Sequence, residues 1–265
     1  MTTHYVYVDS RDATFSKNNT EFTIQLNENL TLGPDTTYRI DDFRMVNSMP
    51  NSTLENQYLW VRVGGNTKWV PLPTGYITAQ SLAGIISSQL SAYAGGGWSV
   101  SYDQTQNALR ITNSNSFYMV TDAELADGTY VPERGVWPSG ASKDKPLSFN
   151  ALIGNYSGNP ARNFTHNEYR IEFWDLQIYD YVLLRSKHLA SHKVTSVRSE
   201  HDIILKASVD VAFGVIIKAS TPGFDSIHLG RTPHRALDFQ ITDRFGKPIP
   251  YLYDPRISFT VVFYG

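Results

Sequence analysis

The chain has 265 residues, with 23 Lys and Arg against 25 Asp and Glu for a net charge of -2, 41% hydrophobic and 13% aromatic content, and no cysteine. That length buries a sizeable core in one large domain or two smaller ones. The composition excludes disulfides, thiolate metal sites and thiol nucleophiles, and with no clustered basic arm it argues against direct binding to nucleic acid. No apolar run is long enough for a signal peptide or a membrane span, so the expectation is a protein made without a secretion signal.

In chain order, Val6 and Val8 alternate with Tyr5 and Tyr7 in a first strand that Asp9-Ser10-Arg11-Asp12 ends. Phe22, Ile24 and Leu26 mark a second strand. Tyr38 to Val46 marks a third, whose alternation slips at Asp41-Asp42 and so predicts a β-bulge. Gln57 to Val63 reads as a fourth strand. Thr78 then reads as an N-cap, and Leu82, Ile85, Ile86, Leu90 and Tyr93 form one face of a helix over about 78–94, ended by Gly95-Gly96-Gly97. A three-strand meander follows over about 98–121, then a helical turn from Thr121. Residues 128–165 show no sustained period, and irregular segments that long are usually functional or contact-making.

Strands resume at Tyr169, slip at Trp174-Asp175 and continue to Leu184. His201 to Lys206, Val209 to Lys218 and Phe224 to Leu229 come next. In the closing pair, Leu237, Phe239 and Ile241 share one face, as do Ile257, Phe259, Val261 and Phe263. About eight principal strands of this kind predict an all-β fold, a single jelly-roll β-sandwich with an inserted small α+β unit. The predicted boundaries are 1–67 and 166–265 for the jelly roll and 68–165 for the insertion. Asn18, Asn29, Asn51, Asn155 and Asn163 open Asn-x-Ser/Thr triplets and read as polar turns.

The search for chemistry is mostly negative. Phosphate-binding glycine loops and nucleophile elbows are absent. His188 and His192, four apart, fall in a charged loop without a third ligand, and His228 and His234 straddle a turn. Glu172, Asp175 and Asp180 are the available carboxylates for glycoside hydrolysis, but such residues more often face water. Asp9, Arg11 and Asp12 read as a capped turn in which Arg pairs with a carboxylate. Trp69, Trp98 and Trp137 could stack on sugars but fit core or interface packing better. The residues therefore point to no catalytic, cofactor or metal site, and to no enzyme.

Taken together, YVDSRD, FTIQL and YRIDDFRMVNSMP near the start resemble the opening of the penton (minor capsid) proteins of polinton-like viruses and virophages. The resemblance continues through Gly75-Tyr76-Ile77-Thr78, the helix to Leu90, WSVSYDQTQNALRIT and FYMVTDAEL. It ends in HLASH, SEHDIILKASVDVAFG, LDFQITDRFGKPI and SFTVVF. It runs from Tyr5 to Phe263 and omits Thr129 to Thr165; its motifs are structural, so no active-site residue is carried over. It implies a virion protein without cofactor, a single jelly roll standing on end as a homopentamer at the fivefold vertices of an icosahedral capsid. The implied partners are copies of itself and a double-jelly-roll major capsid protein, with the insertion as a tower or neighbour contact. A viral attachment protein that binds a host receptor or glycan through the insertion is the alternative, and a sandwich-fold glycoside hydrolase is the weaker one.

Overall fold

The computed structural model describes residues 3–17, 20–30, 32–33, 35–126, 148–153, 166–171, 176–189, 202–222, 227–229 and 234–265. In chain order these form β1 (Thr3–Asp9), a 3-10 turn (Ser10–Asp12), β2 (Phe15–Lys17), β3 (Glu21–Leu30), β4 (Thr37–Val46), β5 (Tyr58–Val63) and β6 (Asn66–Pro71). Next come α1 (Ala79–Tyr93), β7 (Trp98–Asp103), β8 (Ala108–Met119), α2 (Asp122–Ala126), α3 (Phe149–Leu152) and β9 (His166–Ile171). The chain finishes with β10 (Tyr181–Arg185), β11 (Ile203–Ser208), β12 (Ile216–Ala219), β13 (Ile227–His228), β14 (His234–Thr242) and β15 (Ser258–Tyr264). It divides into two compact units, Met1–Met49 with Tyr179–Gly265, and Pro50–Ile178.

The first unit holds two antiparallel sheets, ordered β1-β15-β4-β12, with β13 also on β4, and β11-β10-β14-β3-β2. Its eight principal strands pair from the outside inwards: β1 with β15, β3 with β14, β4 with β12 and β10 with β11. That nested pairing is the wiring of a jelly roll. It follows from the sequence: each principal strand carries one apolar face, and two such sheets bury those faces only against each other. The two closing strands lie in different sheets, so the Phe239–Phe259 contact, edge-on at 4.9 Å between ring centres, spans the sandwich. Phe22 packs on Phe239 at 5.5 Å and Phe43 on Phe259 at 6.1 Å. Tyr38 is fully buried and its hydroxyl donates to the Leu189 carbonyl at 2.5 Å, while burial pushes its pKa up.

The predicted slip in β4 is a real bulge. Asp42 sits at φ 51, and the pairing with β15 shifts register between Ser258 and Thr260. The extra residue lets Phe43 and Met45 return to the core face that Tyr38 and Ile40 already occupy. Among the described residues, β1 and β12 flank one sheet and β11 and β2 the other.

The second unit is a single sheet, β6-β5-β8-β7 with β9 also on β8, faced by α1. Thr78 caps α1, accepting the Ser81 amide at 3.2 Å, and Leu82, Ile86 and Leu90 are fully buried at spacing four. Tyr93, expected on that apolar face, is exposed. The opposite face of the sheet carries a smaller cluster of Tyr58, Trp60, Val120 and Leu125. With cover on both faces, β5 is buried at four successive residues, Tyr58 to Val61.

The division between units differs from the predicted boundaries. Gln57–Val63 was expected in the jelly roll, and the strand around Tyr169 was expected to run on to Leu184. Instead β5 pairs with β6 and β8, and β9 pairs with β8, inside the second unit. Alternation reports that a strand has a buried face, not which sheet supplies the cover. The stretch 128–165, read as irregular, contains α3, where Phe149 and Asn150 are fully buried.

Candidate assembly surfaces

The candidate catalytic groups do not converge. His188 Nδ1 lies 2.6 Å from Asp238 Oδ1, and the Asp238 carboxylate also accepts the amides of Lys187 at 3.2 Å and His188 at 2.9 Å. That arrangement fastens the chain after β10 onto β14. His192, Glu172, Asp175 and Trp137 lie outside the described residues, as do the side chains of His228 and His234. Asp180 is exposed. Among the described residues no group of three His, Cys, Asp or Glu could hold a metal ion. Trp98 is buried edge-on against Phe117 at 4.8 Å, and Trp69 is partly buried against Tyr58 at 5.6 Å, so both serve packing. Asn51, read as a polar turn, is buried, with its side-chain amide clamping both the N–H and the carbonyl of Ile77 at 2.8 Å.

Asp9 behaves as expected of a capped turn. Its carboxylate accepts the Arg11 amide at 2.9 Å and pairs with the Arg11 guanidinium, whose hydrogen bonds hold the Asp9 carboxyl below its ordinary pKa. Beside it, Tyr7, Asp9, Asp12, Asp42, Ser258 and Thr260 line a shallow polar cleft of about 250 Å³ on the outer side of the β1-β15-β4 sheet. Asp12 is exposed and forms no ion pair among the described residues.

The described residues of the first unit expose large apolar side chains at both edges of one sheet. On β1 the inward residue Val8 is buried, whereas Tyr5 and Tyr7 stand 59% and 78% exposed. On the other edge of the same sheet, Val215 and Ile216 are 48% and 43% exposed, and Lys218 is exposed on β12 without an ion pair among the described residues. The signal for these edges was in the sequence: the outward positions of β1 are aromatic where a solvated face would carry polar residues.

A jelly-roll sandwich with a unit inserted between its third and fourth principal strands places the chain in the class of all-β jelly-roll folds. Among solved structures, the chain is similar to the mavirus penton protein, with a TM-score of 0.53 and 7% identity over 98% of this chain and 99% of that one. It is also similar to a chain of the Sputnik virophage, with a TM-score of 0.48 and 13% identity over 98% and 97%. The mavirus likeness shows a shared fold along the length of both chains, as the resemblance in sequence implied. No protein-family model and no curated protein matches the sequence.

Proposed function

We propose that the protein is a structural capsid component of a virion, a homopentameric penton at the fivefold vertices of an icosahedral shell built mainly from a double-jelly-roll major capsid protein. The observation that carries this is the full-length likeness to the mavirus penton protein, inserted unit included. The surface chemistry supports it: exposed tyrosines and aliphatic residues on opposite edges of one sheet suit adhesion, while Asp9 is engaged in a turn and the His188–Asp238 pair in a loop anchor. A fivefold ring needs a head-to-tail interface that closes on itself, which a subunit with two dissimilar flanks provides.

Native mass spectrometry of the purified chain tests it. The expected species is five times the chain mass, formed by the protein alone or on addition of the major capsid protein. A monomer or trimer that stays so under both conditions overturns the proposal, and glycan binding by such a species would favour the attachment role.

A further inference from the structure

We propose that the ring interface joins the β1 edge of one copy to the β12 edge of the next, so that Tyr5, Tyr7 and Asp12 of one subunit meet Val215, Ile216 and Lys218 of its neighbour. The proposal rests on the pentameric function above and adds which two flanks make the contact.

Three observations carry it. First, β1 and β12 are the two ends of one four-strand path, β1-β15-β4-β12, and so lie on opposite flanks of the same sheet. A closed ring made by head-to-tail contact requires two different patches on opposite sides of each copy. Second, among the described residues the β1 edge shows little that keeps a lone edge strand from pairing. Its sequence, THYVYVD, carries no Lys and no Pro, and no bulge interrupts its pairing with β15. Instead it displays two exposed tyrosines, Tyr7 among the most exposed large apolar side chains of the described residues. An edge so furnished needs a cover, and tyrosine is enriched at protein contacts because it buries area while keeping its hydroxyl satisfied.

Third, the flanks are complementary in charge. The β1 side carries Asp12, which has no ion pair among the described residues, beside Asp9, whose charge Arg11 neutralises. The β12 side carries Lys218, which likewise has no ion pair among them, next to the aliphatic pair Val215 and Ile216. Across the contact, aromatic rings meet branched aliphatic side chains and the Asp12 carboxylate meets the Lys218 ammonium. Opposed to copies of themselves, the two flanks would instead bring like charges together, which selects head-to-tail over back-to-back association.

The experiment uses the full chain and two variants, Tyr7→Glu and Ile216→Glu. Both change exposed side chains, so matching thermal unfolding curves establish that each variant is folded. The wild-type chain forms a pentamer, and each variant needs at least a tenfold higher concentration for half-assembly. The decisive step mixes the two variants. Each retains one intact flank, so the mixture gives a one-to-one heterodimer that grows no further. If the wild type is pentameric while both variants assemble as it does, or while the mixture gives no heterodimer, the choice of flanks is overturned and the ring stands. If the wild type does not form a pentamer under either condition above, the ring fails and takes this proposal with it.

Discussion

The two units hold themselves together by different means. In the first, two sheets bury their apolar faces against each other, and the aromatic series Phe22, Phe239, Phe259 and Phe43 reaches across the space between them. In the second, one sheet is covered by α1 on one face and a smaller aromatic cluster on the other, and buried amide side chains pin segments that the ladder does not reach. Asn150 is the clearest pin: fully buried, it accepts the Trp60 amide at 2.8 Å and donates to the carbonyls of Trp60 at 2.7 Å and Val120 at 2.8 Å. The contrast follows from topology. Nested antiparallel pairing satisfies backbone groups within the sheets, and buried polar side chains such as Tyr38 on the Leu189 carbonyl and Asn47 on the Val211 carbonyl hold the loops beside them. A single sheet bordered by irregular segments must satisfy its frayed backbone with side chains.

The largest expected effect therefore lies in the first unit. Phe239→Ala removes a ring that touches partners in both sheets, and loses transfer energy and leaves a cavity together, for about 3–5 kcal/mol. Urea unfolding monitored by circular dichroism measures it. A loss below about 1 kcal/mol would mean that the sandwich repacks around the gap and that the aromatic series is not what holds the two sheets together.

Next in size, Asn150→Ala strips hydrogen bonds from three backbone groups and should cost about 2–3 kcal/mol, although it creates only a small cavity. Hydrogen exchange at the Trp60 amide is the sharper readout, because that N–H loses its acceptor. Unchanged protection there would show that the second unit relies on packing as the first does, and the contrast between them would dissolve.

These pins mark the limit of what the sequence discloses. Period-two patterns exposed the strands themselves, and even the bulge, since an extra residue at Asp42 is needed to put Tyr38, Ile40, Phe43 and Met45 on one face. They were silent about partners, so the strand at Tyr58 to Val63 was attached to the wrong sheet. Asn150 was invisible for a different reason: a polar residue in a segment without periodicity gives no hint that it is buried. The flanks were half legible. Tyr5 and Tyr7 alternate correctly, but only the fold reveals that their strand is an edge. Val215 and Ile216 sit in an apolar run that, read linearly, looks like core.

The smallest expected effect separates the units by pH. In the second unit, Asp122 accepts hydrogen bonds from the hydroxyl and amide of Ser148, yet burial outweighs them and pushes its carboxyl up to about 6 from an ordinary value of 3.8. The folded state thus holds this proton more tightly than the unfolded chain does. The resulting stability is fully present below pH 3.8 and is lost as pH rises through 6. Asp9 in the first unit has the opposite sign: Arg11 lowers its pKa, so its contribution is present above its unfolded value and lost as pH falls through the lower folded one. Asp122→Asn keeps an acceptor for Ser148 without the charge. It should stabilise the protein by about 2 kcal/mol at pH 8, and that gain should fade to nothing near pH 4. Denaturant midpoints of variant and wild type across that range measure the difference directly and cancel every other titrating group. A gain that stays constant with pH would mean that Asp122 is ionised at little cost. The second unit's polar pins would then be better solvated than its buried carboxylate implies.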